Sequence, residues 1–229
     1  MNPSREPGAI DVLFLDEHLV AVNKPSGLLV HRGWGRDADV AMFRARDAVG
    51  AHVYPVHRLD RATSGALVFA RSSDAAAALS GSFESRQVDK RYLALVRGTP
   101  PESGVIDHPI PKSEGGPRVP AVTRFVLVAR SSVDRCALVL AMPETGRFHQ
   151  VRRHLKHLGH PLIGDVNYGS GQLNRRFRAQ YALHRLALHA LAIAFEHPIT
   201  GARVTITAPM PDDLGLALER LALPREPAR

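Results

Sequence analysis

Apolar positions fall along this chain in short runs at two different periods, and the change of period marks out its elements. Val12-Leu13-Phe14-Leu15 and Leu19-Val20-Ala21-Val22 are separated by Asp16-Glu17-His18, a spacing that predicts a β-hairpin. Asn23-Lys24-Pro25-Ser26-Gly27 then breaks the strand. Residues 38–49 read as a helix, 66–70 as a strand after the turn Thr63-Ser64-Gly65, and 75–84 as a second helix capped by Ser72 or Ser73. Residues 92–96 make another strand. The stretch 99–120 carries Pro and Gly at many positions and reads as an extended excursion, after which strands resume over 122–128 and 137–141.

From Thr145 the period changes to that of a helix. Val151, Leu155 and Leu158 fall at spacings of four and three, Gly159 sits where a C′ glycine belongs, and the opposite face is polar. A late hairpin over 186–195 and 204–206 turns at His197-Pro198-Ile199-Thr200-Gly201, and 211–221 reads as a closing helix. This order predicts one α+β domain over residues 10–223 with a mixed, largely antiparallel sheet, a loose lead-in over 1–9 and a tail over 224–229.

Composition narrows the class. The chain has 229 residues, 45% hydrophobic and 23% charged, which suits an ordinary folded protein with a sizeable core. Its one cysteine, Cys136, lies in an apolar run, which excludes a disulfide scaffold and thiolate metal sites. No window is long and apolar enough to cross a bilayer, and the N-terminal MNPSREPGAI lacks the apolar stretch of a signal peptide. A soluble cytoplasmic protein with no membrane partner is the expectation. No interface signal stands out, so a monomer without an obligate protein partner is expected.

Charge adds a partner. The net charge is +8, and between Glu144 and Glu196 one acid, Asp165, stands against Arg147, Arg152, Arg153, Lys156, Arg175, Arg176, Arg178 and Arg185. Such a distribution suits either a solvated basic face or a phosphate-binding surface.

Two segments concentrate chemistry. His57-Arg58-Leu59-Asp60-Arg61-Ala62-Thr63-Ser64-Gly65 puts a carboxylate, two arginines and two hydroxyls in one loop between a helix and a strand. Thr145-Gly146-Arg147-Phe148-His149-Gln150-Val151-Arg152-Arg153-His154-Leu155 opens the basic helix, where His149, Arg152, Arg153 and Lys156 share the face opposite the apolar stripe. A buried arginine from this helix would hold Asp60 ionised, as a nucleophile or general base at neutral pH requires. Other chemistries fit worse. His149, His154, His157 and His160 cluster, yet no acidic or cysteine ligand joins them, so no metal is expected. There is no phosphate loop, and Ser64 lacks a GxSxG elbow.

Together these segments resemble the RluA-type pseudouridine synthases, from about Val12 to Ile206. Lys24-Pro25-Ser26-Gly27 resembles the family's first motif, HRLDRATSG its catalytic loop, Lys90-Arg91-Tyr92 its tyrosine segment and TGRFHQVRRHL the motif of its paired arginine. Pro161-Leu162-Ile163-Gly164-Asp165-x-x-Tyr168-Gly169 and Leu188-His189-Ala190 match as well. Phe148 and Ala66 depart from the residues common there.

The resemblance implies a single catalytic domain without an S4 domain, its cleft across the sheet. It implies cofactor-free isomerisation of uridine to pseudouridine in structured RNA, with Asp60, Tyr92 and Arg152 as catalytic residues. Arg58, His57, Thr63, Arg147, His149 and Gln150 are the expected substrate contacts, and Arg58 would fill the stack vacated by a flipped base. Val30-His31-Arg32-x-Trp34, the doubled Arg152-Arg153 and Asn174-Arg175 further resemble the members that modify uridine-65 in the T stem of tRNA. Ribosomal RNA or another tRNA site is the alternative target, and a catalytically silent RNA-binding module the alternative class.

Overall fold

The computed structural model describes residues 8–32, 38–112 and 115–225, so Trp34 and most of the expected lead-in and tail lie outside the described residues. By its contacts the chain forms two compact units, one of residues 1–88 and 192–209, the other of 89–191 and 210–229.

The first unit opens with the expected hairpin, β1 (Asp11–Leu15) antiparallel to β2 (Leu19–Lys24). Asp16 holds its turn, since Oδ1 accepts from the backbone N–H of His18 and Leu19. β2 pairs with β4 (Ser64–Ala70), and the two-residue β3 (Tyr54–Pro55) flanks β4. Every residue of β4 is buried, which explains its apolar run from Ala66 to Ala70. Helix α1 (Ala41–Val49) follows a bridge between Leu29 and Val40. Helix α2 (Ser73–Glu84) is capped by Ser72, whose hydroxyl accepts from Ala75 N. The core gathers Leu19, Ala21, Val68, Leu79, Ile193, Phe195 and Ile206.

The second unit is built on the antiparallel order β5 (Asp89–Arg97), β10 (Cys136–Pro143), β9 (Val122–Arg130), β6 (Ser103–Asp107). The described residues of 99–120 are therefore more ordered than their Pro and Gly content suggests. β6 adds to β9, and β7 (Ile110–Pro111) pairs with β8 (Arg118–Val119), with the prolines confined to strand ends and turns, where a missing N–H is tolerated. Helix α3 (Gln150–His157) begins one residue before the predicted stripe and is capped by Leu158, with Gly159 just beyond at φ 87°. Helix α4 (Gly171–Tyr181) is not predicted by the sequence pattern: Phe177 is its one buried residue, too little apolar signal to show a period, although Ser170 caps it in the usual way. Helix α5 (Asp212–Arg220) closes the chain against Leu93, Leu95, Leu138 and Phe177.

Strand β11 (Leu188–Glu196) starts in the second unit and ends in the first, where residues 192–196 pair with β12 (Arg203–Thr207). Helices and a largely antiparallel sheet make this an α+β fold, as the sequence predicts.

Candidate active site

In the first unit the loop before β4 carries Asp60. Thr63 N donates to Asp60 O at 3.0 Å, closing a turn around the carboxylate residue. The carbonyls just after it are gripped by the Lys24–Gly27 turn. Lys24 is 0% exposed, and its ammonium donates to Pro25 O (2.9 Å), Leu28 O (2.7 Å) and Arg61 O (3.1 Å), one acceptor for each proton. Gly27 N also donates to Arg61 O, Arg61 Nε returns a bond to Gly27 O, and Ser26 Oγ donates to Ala62 O at 2.7 Å.

His57 anchors the other end of the loop. Its Nε2 accepts from Val68 N at 2.9 Å, which puts the proton of the neutral ring on Nδ1, and the ring stacks on Phe83 at 4.8 Å. These contacts give His57 an anchoring role in the loop. Thr63 is 2% exposed, and its hydroxyl has no hydrogen-bond partner among the described residues. Arg58 is exposed and Asp60 half-buried.

The second unit carries the other expected residues. Tyr92 is half-buried on β5, in register with Ala141 of β10. Two residues earlier, Lys90 Nζ donates to Thr145 O at 3.2 Å, and burial pulls its pKa down to about 8, against the opposing pull of Asp89. His149, the N-cap of α3, has φ 54°, an uncommon left-handed conformation for a side-chain-bearing residue. It stacks on Phe148 and shares a 3.0 Å hydrogen bond with the Tyr168 hydroxyl. Arg147 is exposed.

Gln150 is fully engaged within the fold. Its Oε1 accepts from Thr145 Oγ1 (2.6 Å) and Arg147 N (3.0 Å), while Nε2 donates to Val122 O (2.8 Å) and Thr123 Oγ1 (3.0 Å). These four bonds use all that an amide offers, so Gln150 braces the start of the basic helix. His154 continues the network to Thr123 Oγ1 and His108 O, both at 2.9 Å. The polar side of α3 is thus partly a buried network. Among the described residues no three His, Cys, Asp or Glu side chains converge as metal ligands.

Arg152 is buried and held by several partners. Its Nε and Nη2 make a two-pronged ion pair with Asp165, both bonds 2.8 Å, and Nη2 also donates to Asn167 Oδ1 at 2.8 Å. Its Cζ lies 5.1 Å from the centre of the Tyr168 ring. Burial raises the Asp165 pKa, but the hydrogen bonds and charge of Arg152, with the N–H groups of Tyr168 and Asn167, outweigh it and hold the carboxyl below its ordinary value.

Comparison with known proteins decides the family. The RNA pseudouridylate synthase family model matches residues 18–157. A tRNA pseudouridine synthase C of Pasteurella multocida (strain Pm70) is 43% identical over 220 residues, covering 87% of this chain and 90% of that protein. This chain belongs to the RNA pseudouridylate synthase family. A tRNA pseudouridine synthase C of Vibrio parahaemolyticus is 39% identical over 227 residues, with 90% and 92% covered. Among solved structures, human RNA Pseudouridylate Synthase Domain Containing 4 is similar with a TM-score of 0.76 and 29% identity, covering 93% of this chain and 94% of that one. Human RNA Pseudouridylate Synthase Domain Containing 1 gives 0.75 and 27%, covering 93% and 90%. The pseudouridylate synthase has no helix, among the described residues, that is long and apolar enough to cross a membrane.

Two features of this synthase escape a reading of its sequence. One is the chemical work of Lys24, legible only as part of a turn motif. The other is the build of the Pro161–Gly169 segment. Gly164 has φ 79°, and a Cβ there would lie 1.9 Å from Arg185 O; a Cβ on Gly169 would lie 2.5 Å from Asp165 O. Both positions exclude any side chain, and between them Asp165 Oδ1 accepts from the backbone N–H of Asn167 (2.9 Å) and Tyr168 (3.0 Å).

The basic stretch also divides. The side chains of Arg152 and Arg185 are buried, the latter paired with Asp213 and donating to Leu186 O and Leu188 O, whereas the other six bases reach the surface.

Proposed function

We propose that the protein converts uridine-65 in the T stem of tRNA to pseudouridine, with Asp60 as the carboxylate that starts the reaction. The observation that carries this reading is the HRLDRATSG loop, held at its backbone by the buried Lys24, in a chain about 40% identical to tRNA pseudouridine synthases C.

The reaction breaks the glycosidic C–N bond, rotates the uracil and joins its carbon to the sugar, with no net oxidation or reduction. Asp60 acts on the sugar or the base, Tyr92 stacks on the uracil, and Arg152 supplies the positive charge that keeps a desolvated carboxylate ionised. A uridine in a duplex must first leave its stack, at a cost of a few kcal/mol, and exposed Arg58 fills the space it leaves. The six surface bases of the 147–178 stretch meet the RNA backbone.

The test uses unmodified tRNA transcripts, without metal or cofactor, and maps pseudouridine by carbodiimide-dependent reverse-transcription stops, with Asp60→Asn as control. A T-stem stop that the variant loses is expected. Modification of ribosomal RNA alone would refute the target, and binding without modification of either RNA would refute the chemistry.

A further inference from the structure

We propose that Asp165 is a positioning residue for the reaction, fixing the plane and rotamer of the Arg152 guanidinium. The inference rests on the role given to Arg152 above.

Three layers of contact support it. The first is the pair itself: the side chains of Arg152 and Asp165 are 6% and 0% exposed, and the paired donors and acceptors lie in one plane-defining fork. Nε and Nη2 are the atoms bonded to Asp165, so the carboxylate decides which edge of the cation is turned away from it. The second layer is the Tyr168 ring, which faces Arg152 and whose hydroxyl accepts from Arg153 Nε at 2.8 Å.

The third layer fixes Asp165. Besides the two N–H groups on its carboxylate, its carbonyl accepts from Asn174 Nδ2 at 2.9 Å, and Asn174 Oδ1 accepts from Gly164 N at 2.9 Å. One side chain of α4 thus clamps the backbone on both sides of the Gly164–Asp165 bond. Order passes from α4 through Asn174 and Asp165 to Arg152.

Stability alone is a poor reason for this arrangement. Desolvating two charges offsets most of their attraction, and well-packed apolar residues of similar volume often do as well. Arginine also carries a flexible side chain whose ordering would otherwise be repeated in every catalytic cycle. Asp165 removes that ordering in advance.

The experiment compares Asp165→Asn, Arg152→Gln, the double variant and Asn167→Ala, with single-turnover rates on a tRNA transcript at saturating enzyme and Kd by filter binding. Asparagine in place of Asp165 turns one arm of the fork into a donor facing a donor. The rate is expected to fall about 30-fold, which is about 2 kcal/mol at 1.36 kcal/mol per decade, with Kd changed less than about twofold. The double variant is expected to be no slower than Arg152→Gln, because Asp165 acts only through Arg152.

Asn167 is exposed, so its alanine variant keeps the fold even if Asp165→Asn does not, and a rate loss of about threefold, or about 0.6 kcal/mol, is expected from it. Wild-type rates in folded Asp165→Asn or in Asn167→Ala, or additive losses in the double variant, would overturn the inference. A wild-type rate in Arg152→Gln would overturn the role of Arg152 itself.

Discussion

Thr63→Val separates two consequences of one buried hydroxyl. Thr63 is 2% exposed, follows Asp60 by one turn, and its Oγ1 has no hydrogen-bond partner among the described residues. Valine has nearly the same shape and replaces the hydroxyl by a methyl. A buried polar group left unsatisfied costs about 1–3 kcal/mol, so removing it raises the stability of the free enzyme by about 1–2 kcal/mol. For a chain of this size that is a Tm rise of about 3–6 °C. If the hydroxyl meets the RNA, the same variant loses one neutral hydrogen bond in the complex, about 0.5–1.5 kcal/mol, and kcat/KM for tRNA falls about 2- to 12-fold. Calorimetry of the free protein and initial rates on a tRNA transcript read the two effects, with Thr63→Ser as the variant that keeps the hydroxyl. A stabler Thr63→Val with unchanged kcat/KM refutes the substrate contact. A less stable one refutes the argument from the orphaned hydroxyl.

Lys24→Met leaves the Pro25 and Leu28 carbonyls without their lysine donor and Arg61 O with Gly27 N alone, and lowers unfolding stability by about 3 kcal/mol in urea titrations, with a loss of activity beyond that of a surface lysine variant. Lys90 gives a pH test: its pKa falls to about 8 on folding from an ordinary value of 10.5, so the unfolded chain binds more protons between those values and stability rises with pH across that window. Lys90→Met therefore shows its largest Tm advantage over wild type below pH 8, and the gap narrows towards pH 10.5. Replacing exposed Arg175 and Arg178 together by alanine weakens tRNA binding and reduces the slope of log Kd against log salt by about one for each phosphate no longer neutralised.

How much is legible in the sequence depends on how each element is stabilised. The β1–β2 hairpin and β4 show themselves as short apolar runs bounded by turn residues, and α3 as an apolar stripe with spacings of three and four. α4 does not, since a helix that buries only Phe177 leaves no stripe to read. β6 is hidden by its neighbours: prolines at 100 and 101 suggest a loop, while Val105 and Ile106 supply too short a run to outweigh them. The Asp60 loop is legible as a pattern of residue types. Its support is not, because the bond from Lys24 to the Arg61 carbonyl joins residues 37 positions apart and depends on a buried ammonium that no local rule predicts. For the same reason the motif does not show the bracing role of Gln150, since position in a motif says nothing about whether an amide's four bonds are already taken.

The basic stretch shows why a charge count needs burial before it becomes a binding surface. Arg185 is one of its eight bases, yet its side chain is 8% exposed against 58% for its partner Asp213. Burial lowers its pKa from the ordinary value, against the pull of Asp213, and its Nε and Nη2 donate to Leu186 O and Leu188 O at the start of β11. Arg185→Met should therefore act on folding and not on RNA. Losing a guanidinium that satisfies two carbonyls lowers stability by about 2–4 kcal/mol, while the salt slope of tRNA binding by the folded variant stays at the wild-type value. Arg178→Ala should do the reverse, because Arg178 is exposed on α4. If Arg185→Met flattens the salt slope as Arg178→Ala does, then Arg185 leaves its pair with Asp213 to meet phosphate, and the division of the stretch into buried and surface arginines fails.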